Sequence, residues 1–459
     1  MIRKLISAAA AMAFGLTAAA QITVHTGTEV GPIKLMHAGN NGPVIAGDDQ
    51  THGNSIWYKM AEIPYARTHD GSFYSHYGSG NALDIDKIFP DFDSNAKKPS
   101  SYDFVNTDWI FEAMLSCGTK PFFRMGQKIE HDPIKYGIYP PKNFKKWAQI
   151  CEHIIMHYNY GWADGHEMGI EYWEIWNEAD LDLDTWNTDP KCWGGTKEQF
   201  FEFYEVVAKY LKARFPELKI GGPALAWRVD WAEEFLAYMS AHQVPIDFFS
   251  WHSYSTSPEY MAEMAESIHG LLVKYGYGEA ESILDEWNYV KGWGDEFDYT
   301  LNVFPTEKGA AFNAAVIQRC QDAPVDMLMY YDMAPESLFN GVWDLRTWKP
   351  TPAYYPFYAW SRLVRYGTQV KSECPEKDVC VTAAKDASGR LRIMVSRYNS
   401  SDNVTAPKKY TVTFDSDFIQ AYGHLTDPFR TYSEIPLEIK DRSVTIALEP
   451  NSFILIDLK

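Results

Sequence analysis

The chain has 459 residues and a formal net charge of −19, with 46% hydrophobic and 15% aromatic residues. This length is enough for one large barrel domain and a smaller second domain. The excess of negative charge argues against nucleic acid or an anionic membrane as a partner, although a local basic cleft could override the average. Charge alone does not identify a substrate.

The first twenty residues have the pattern of a secretory signal peptide. Arg3 and Lys4 form a short basic start, Leu5–Leu16 is apolar, and three alanines at 18–20 form a small-residue cleavage site. We expect the mature chain to begin near Gln21 and the protein to be exported, to the periplasm or the extracellular medium. The apolar stretch is too short for a spanning helix, and no later run of 18 or more apolar residues follows. An uncleaved membrane anchor is the alternative.

Between about residues 31 and 362, short apolar runs alternate with longer helical patterns, which is typical of repeated βα units around a parallel sheet. The predicted strands are Ile33–His37, Ile63–Arg67, Lys120–Arg124, Ile170–Trp176, Leu218–Gly221, Asp247–Trp251, Ser282–Glu286 and Asp326–Tyr331. Eight strands are the number that a closed barrel requires. We therefore predict an α/β fold in which residues 21–362 form a (β/α)8 TIM barrel.

From about residue 363 the pattern changes to short alternating segments separated by turns. The predicted strands are Cys380–Ala383, Leu391–Tyr398, Tyr410–Phe414, Val444–Leu448 and Phe453–Leu458. This pattern predicts a C-terminal antiparallel β-sandwich over residues 363–459. Ile22–Val24 is a further candidate strand, which would join the sandwich from the other end of the chain.

Two glutamates close similar predicted strands. Glu178 ends the run that begins at Glu171, and Glu286 lies in a second run of the same character, Glu281–Tyr289. Catalytic groups of a TIM barrel lie at the carboxyl ends of its strands. A pair of carboxylates there is what glycoside cleavage needs, since one protonates the leaving oxygen while the other attacks the sugar. The alternative is that both are buried, paired structural acids.

Other polar residues follow the same strand ends. They are Arg67, His69 and Asp70 after the second strand, Asn177 in the fourth, His252 and Tyr254 in the sixth, and Tyr331 and Asp332 in the eighth. Arg67 and Tyr254 could donate hydrogen bonds to Glu286 and keep it ionised, as a nucleophile requires. Asn177 could hold a sugar hydroxyl, and His252 could tune the acid. Each residue alone is weak evidence, but the set is coherent.

Six sequence blocks, in order along the chain, carry a resemblance to a known family. They are Tyr102–Phe104, Gly118–Phe122, Glu174–Glu178, Gly221–Ala224, Ser250–Tyr254 and Asp285–Trp287. The chain resembles the retaining glycosidases of clan A and, within them, glycoside hydrolase family 39, which holds β-xylosidases and α-L-iduronidases. The Gly-Gly-Pro-Ala and Trp-His-Ser-Tyr blocks select the family.

The resemblance implies roles for the site residues. Glu178 would be the acid/base and Glu286 the nucleophile. The implied substrate-binding residues are Asn177, His252, Tyr254, Arg67, His69, Asp70, Trp186 and Trp287, with His69 near the leaving-group side and Trp186 near the entrance. Ala179 stands where the family usually has Pro, and Asp70 separates His69 from Gly71. These departures fall in loops that line the sugar subsites. Asp70 could recognise a hydroxyl or an amine, which argues mildly against a carboxylated sugar.

The expected function is a secreted, retaining, exo-acting glycoside hydrolase that needs no metal or organic cofactor. The resemblance favours release of terminal β-xylose from plant or algal oligosaccharides. The alternatives are another specificity in the same clan (α-L-iduronidase, arabinosidase, galactosidase or endo-glycanase), or a non-catalytic carbohydrate-binding protein. An oligosaccharide or polysaccharide is the expected partner, and the oligomeric state stays open.

Three further patterns are interpreted as structural. Asp180, Asp182 and Asp184 have the spacing of a calcium loop, but the Gly and Glu that such a loop needs are missing. His153 and His157 lie one helical turn apart without the Glu of a zinc-protease helix, so we expect packing or surface residues. None of the six cysteines has zinc or C-x-x-C spacing, and the nearest candidates for a local disulfide are Cys374 and Cys380.

Overall fold

The computed structural model describes residues 19–45, 52–71 and 81–459. Residues 1–18 of the predicted signal segment lie outside these ranges. The described chain forms a closed barrel of eight strands and one further sheet of nine strands. Among the described helices, none is both long enough and apolar enough to cross a bilayer.

The barrel begins with the second strand of the chain, because β1 (Ala20–Pro32) belongs to the other sheet. The barrel strands are β2 Leu35–Asn40, β3 Tyr65–Arg67, β4 Lys120–Met125, β5 Tyr172–Ile175, β6 Lys219–Leu225, β7 Phe248–Ser255, β8 Glu281–Tyr289 and β9 Met327–Tyr330. Every neighbouring pair is parallel, and β9 closes the barrel onto β2. Each strand overlaps one predicted strand, so the TIM barrel prediction is confirmed.

Helices cover the outside of the barrel. They are α1 Ser55–Ala61, α2 Ile85–Ile88, α3 Val105–Ser116, α4 Phe144–Tyr160, α5 Lys197–Arg214, α6 Val229–Ala241, α7 Pro258–Lys274, α8 Phe297–Val303, α9 Glu307–Gln321 and α10 Tyr355–Val364. A capping box starts α5, since Thr196 accepts from the backbone of Gln199 and the Gln199 side chain accepts from the backbone of Thr196. A short 3-10 turn, Ala179–Asp182, directly follows the strand end at Glu178.

The second sheet is rolled into a sandwich. Its C-terminal strands are β10 Thr368–Glu373, β11 Val379–Lys385, β12 Leu391–Arg397, β13 Lys408–Phe414, β14 Ala421–Asp427, β15 Arg430–Leu437, β16 Ser443–Leu448 and β17 Ser452–Leu458. The strand order is β15-β14-β17-β12-β11-β10-β1-β13-β16, and the two end strands lie against each other. Neighbours are antiparallel except β1 and β13, which are parallel. The Ile22–Val24 segment lies within β1 and supplies buried residues to the sandwich core.

The barrel packs on the sandwich through α9 and α10. Gln318 of α9 is buried and joins the two domains, because its amide donates to the carbonyl of Met394 and accepts from Ser396. Lys308 of α9 forms an ion pair with Asp402 at 2.6 Å. The suggested disulfide between Cys374 and Cys380 is not formed, since all six cysteines are free thiols.

Candidate active site

Glu178 and Glu286 come together at the carboxyl end of the barrel. Glu178 follows β5 in a left-handed backbone conformation, with φ of 48°, and its N–H donates to the carbonyl of Ala224. Glu286 lies on β8. One carboxylate oxygen from each residue and a ring nitrogen of His252 lie within 4.8 Å of one another. Retaining glycosidases hold their two carboxyl groups about 5–5.5 Å apart, whereas inverting enzymes need about 6.5–9.5 Å. A separation of at most 4.8 Å between these oxygens is too short for the inverting arrangement and agrees with the retaining one.

Three donors hold Glu286. Arg67 donates to Oε1 at 2.7 Å, His69 Nε2 lies 3.0 Å from the same oxygen, and Tyr254 donates to Oε2 at 2.8 Å. Burial alone would raise the pKa of the Glu286 carboxyl, but the imidazoles of His252 and His69 and the guanidinium beneath them hold it well below its ordinary value. Glu286 is therefore an ionised carboxylate, which suits a nucleophile.

Glu178 has a different environment. Its side chain is 14% exposed, against 5% for Glu286, so it faces the open side of the site. His252 Nδ1 lies 2.8 Å from Glu178 Oε1 and 3.5 Å from Glu286 Oε2, which places one imidazole between the two acids. The thiol of Cys192 lies 3.8 Å from the other oxygen of Glu178. This arrangement separates a deep carboxylate from an accessible one.

Arg67 organises the floor of the site. Its fully buried guanidinium contacts Glu286 and also donates to Asn177 Oδ1 at 2.7 Å and to Asn40 Oδ1 at 3.0 Å. Because the Asn177 carbonyl oxygen is occupied in this way, the amide keeps its NH2 group as the donor for a ligand. Arg67 thus positions the other site residues from below.

Two further acids lie beneath Arg67, and sequence reasoning missed them. Glu174 Oε2 lies 2.7 Å from the Arg67 Nε atom, and Asp285 Oδ2 lies 3.1 Å from it. Burial, followed by the charge of Glu174, raises the pKa of Asp285 well above its ordinary value. Burial also works against ionisation of Glu174, but Arg67 lowers its pKa overall. The shared burial and the guanidinium thus act in opposite directions on the two acids, favouring the protonated form of Asp285 and the ionised form of Glu174.

Asp70 lies behind His69 and not in the cavity that holds the two glutamates. Its Oδ2 is 2.8 Å from His69 Nδ1 and accepts from the Tyr331 hydroxyl at 3.0 Å. Burial would lower the pKa of His69, but Asp70 and Glu286 together raise it to about 9. Asp70 therefore orients and charges His69, while its predicted contact with the substrate stays a prediction.

The cavity above the glutamates has a volume of about 820 Å³, within the range of small-molecule sites. Aromatic residues form much of its wall: Trp227, Tyr254, Tyr260, Trp293, Phe297, Tyr331 and Phe339. Trp293 is 63% exposed and stacks on Phe339 with an angle of 6° between the rings. His131 and Lys191 lie on the same cavity as Glu178. Flat aromatic faces of this kind suit the apolar faces of sugar rings.

Asp180 and Asp182 fix two loops of this wall. Asp180 accepts from the backbone N–H groups of residues 226–228, and Asp182 accepts from those of residues 191–193. Asp184 pairs with Arg228. Protein donors occupy all three carboxylates, which agrees with the interpretation that the segment is not a calcium loop.

Neither of the two predicted tryptophans lies on the wall of this cavity. Trp287 is fully buried against Tyr330 and Phe357, on the outer face of the barrel wall. The side chains of Glu286 and Trp287 alternate between the two faces of β8, so Trp287 points outward. Asp285 points inward beside Glu286 because the pairing of β7 with β8 is irregular between Leu284 and Glu286. Trp186 is half-buried and does not line the cavity. Trp227 and Trp293, on the loops after β6 and β8, take the place that these two tryptophans were expected to fill.

Residues 79–334 match the sequence model of Glycosyl hydrolases family 39. This match covers more than half of the chain and includes both glutamates. The chain belongs to glycosyl hydrolase family 39.

Two curated relatives are β-xylosidases. The protein of Geobacillus stearothermophilus is 24% identical over 352 residues, which cover 68% of this chain and 65% of the relative. The protein of Caldicellulosiruptor saccharolyticus is 32% identical over 213 residues, 41% of each chain. The family 39 chain described here thus spans less than two thirds of the length of either relative.

The solved structure of a glucosidase from Croceicoccus marinus has the same fold. The TM-score is 0.75 at 21% sequence identity, and the superposition covers 96% of this chain and 99% of that one. The barrel and the sandwich therefore recur together in a solved structure.

Proposed function

We propose that this protein is a retaining, exo-acting glycoside hydrolase that releases a terminal sugar, with β-xylose as the first candidate. One observation carries the proposal: the ionised Glu286 and the more accessible Glu178 lie on either side of His252 at the retaining spacing. The family 39 match supports the reaction class. A carbohydrate is the proposed substrate.

In the first step, the Glu286 carboxylate attacks the anomeric carbon while the bond from that carbon to the leaving oxygen breaks. Protonated Glu178 gives its proton to the departing oxygen, so the leaving group departs as a neutral alcohol. The sugar is then held as an ester of Glu286. Tyr254 and Arg67 bind the Glu286 carboxylate at its two oxygens and direct it before the attack.

In the second step, the Glu178 carboxylate takes a proton from a water molecule, whose oxygen attacks the same carbon. The ester bond to Glu286 breaks, and the sugar leaves with its original configuration after two inversions. Glu178 is protonated again and Glu286 is again a carboxylate. These steps need no group beyond the two acids and water.

The surroundings of Glu286 support a neutral sugar at the position of attack. Arg67 and His69, the cations beside Glu286, are already engaged by the carboxylates of Glu174, Glu286 and Asp70. A uronate carboxylate at this position would have to compete with these acids. The two β-xylosidase relatives support a pentose in particular.

The proposal includes export to the periplasm or the extracellular medium, which the N-terminal sequence pattern supports. Cleavage after Ala20 would remove a single residue of β1. Mass spectrometry of protein secreted by cells would test this: a mature chain that starts near Gln21 is expected, and an intact Met1 would contradict it.

The catalytic proposal is tested with a panel of aryl xylosides, glucosides, arabinosides and galactosides. We expect the wild type to hydrolyse the β-xyloside and NMR of the first product to show retained configuration. Glu286→Gln should abolish covalent labelling by a 2-fluoro sugar. Glu178→Ala should impair substrates with poor leaving groups far more than activated aryl glycosides, because only the former need a proton.

Three results would contradict the proposal. Inverted configuration of the first product would rule out a double displacement. Undiminished labelling of Glu286→Gln would show that Glu286 is not the nucleophile. Binding of sugars without turnover of any panel member or of longer oligosaccharides would favour the carbohydrate-binding alternative.

A further inference from the structure

A second cluster of potential ligands lies on the outside of the barrel, away from the glutamates. Asp108 of α3, His157 of α4 and His166 of the loop after α4 point their polar atoms at one another. Asp108 Oδ1 lies 3.1 Å from His157 Nε2 and 3.5 Å from His166 Nε2. The His157 side chain is 3% exposed, while those of Asp108 and His166 are 25% and 27% exposed, so the cluster is reachable from solvent.

The hydrogen bonding of His157 leaves its Nε2 atom facing the carboxylate. The Nδ1 atom lies 3.0 Å from the carbonyl oxygen of Trp162, and a carbonyl only accepts, so Nδ1 carries the proton. In the neutral imidazole, Nε2 then presents a lone pair towards Asp108. A backbone carbonyl that fixes the tautomer and orientation of a histidine in this way is the usual arrangement around a metal-ligating imidazole.

Two of the three ligand spacings match a tetrahedral ion, and all three ligand atoms lie within 4.8 Å of one another. Zinc bonds to nitrogen and oxygen are about 2.0–2.1 Å long, which sets the ligand atoms of a tetrahedron about 3.3–3.4 Å apart. The two distances from Asp108 Oδ1, 3.1 and 3.5 Å, lie on either side of this value. The rings of His157 and His166 lie 5.4 Å apart between centroids at 85° to each other, and about 5 Å is expected for two imidazoles on one tetrahedral ion.

The loop that carries His166 is built around His157. His166 donates its N–H to the His157 carbonyl at 2.6 Å, and Met168 donates to that of Tyr158 at 2.8 Å. Gly165 lies so close to His157 that a Cβ atom there would clash with its carbonyl and its ring. The chain therefore returns across the end of α4 and brings His166 to the cluster.

We propose that Asp108, His157 and His166 bind one divalent transition-metal ion of the zinc type, with water in the fourth position. The ion would join α3, α4 and the 161–169 loop, outside the cavity of the two glutamates. Two imidazoles and a carboxylate are a donor set that zinc accepts. This site is independent of the proposed hydrolase activity.

The test is titration of the chelator-treated full chain with ZnCl2 in a calorimeter, together with Co2+ absorption spectra. We expect one ion per chain, a tetrahedral Co2+ spectrum and a melting temperature that rises by a few degrees with zinc. His166→Ala should weaken binding by more than about 100-fold, since loss of even an outer-shell partner costs about 10- to 100-fold. Asp108→Asn should also weaken zinc binding. Because this variant keeps a hydrogen-bonding side chain, it provides a second test if His166→Ala misfolds.

Two controls locate the ion. His242→Ala removes a simple His–carboxylate pair, His242 with Glu205 at 2.7 Å, and should leave binding unchanged. Glu178→Gln alters the other cluster with metal-like spacing and should also leave binding unchanged. The proposal is overturned if the wild type binds no more zinc than His166→Ala, or if Glu178→Gln and not His166→Ala removes the ion.

Discussion

Tyr254 donates a 2.8 Å hydrogen bond to Oε2 of Glu286, the carboxylate oxygen opposite the one that Arg67 binds. Burial and the charge of Glu286 raise the pKa of the Tyr254 hydroxyl well above its ordinary value, so it stays a donor throughout the working pH range. Each oxygen of the proposed nucleophile therefore has its own permanent donor.

Removal of this hydroxyl should impair the proposed reaction without unfolding the protein. A hydrogen bond to a charged group is worth about 1.5–3 kcal/mol, so we expect Tyr254→Phe to lower kcat/KM by roughly 10- to 100-fold. Steady-state kinetics with an aryl glycoside measures this. Tyr277→Phe, which loses a bond to the Val244 carbonyl outside the cavity, is the matched control. Equal losses in the two variants would show that the effect is not specific to Glu286.

The charge of His69 should appear as a pH-dependent part of the stability. Its pKa rises from 6.5 to about 9 on folding, despite burial, because of Asp70 and Glu286. A raised pKa stabilises the folded state fully below pH 6.5, and this contribution is lost as the pH rises through 9. The difference in unfolding free energy between wild type and His69→Gln, measured in denaturant, should thus shrink by roughly 3 kcal/mol from pH 6 to pH 9.5. A difference independent of pH would contradict this account.

The two acids beneath Arg67 should respond differently to isosteric substitution. Burial and the charge of Glu174 raise the pKa of Asp285, which favours its protonated form, so Asp285→Asn should lower the unfolding free energy at pH 7 less than Glu174→Gln does. Glu174→Gln removes a charge that compensates the buried guanidinium and should cost about 3 kcal/mol or more. Each variant serves as the control for the other in denaturant unfolding. A larger loss of unfolding free energy for Asp285→Asn than for Glu174→Gln would contradict this expectation.

Trp293 should bind the leaving-group part of an oligosaccharide, which remains after the terminal sugar is released. Its exposed ring stacks on Phe339 at the wall of the cavity, so Trp293→Ala should raise KM for oligosaccharides by roughly 3- to 10-fold and leave kcat nearly unchanged. Trp186→Ala, a half-buried tryptophan outside the cavity, is the control and should have no effect. Equal changes of KM in the two variants would show that Trp293 is not part of the binding site.

The strands that sequence periodicity predicted correctly are those with buried apolar side chains. All eight barrel strands belong to this group. Periodicity missed β10, β14 and β15. These strands lack a clear apolar pattern, and their buried residues are buried because of where the strands lie in the sheet. In β15, for example, the chain includes Pro436 and the side chains are largely exposed at the end of the sheet. Edge strands of this kind carry little apolar signal.

The site was predictable where a residue acts from a strand end. The bonds from Arg67 and Tyr254 to Glu286 are present as predicted. The assignment of Trp287 failed because the side chains of Glu286 and Trp287 point to opposite faces of β8. Asp285 and Trp293 could not be found, since the first depends on three-dimensional proximity to Arg67 and the second on the path of a loop.

β1, which precedes the barrel in the chain, holds two parts of the sandwich together. Because β1 lies between β10 and β13, a fragment restricted to residues 363–459 would split into a six-stranded sheet and a separate pair, β13 with β16. The new edges would offer unpaired backbone groups to other chains. The sandwich therefore takes strands from both sides of the barrel segment, and a cut near residue 363 would separate β1 from both of its neighbours.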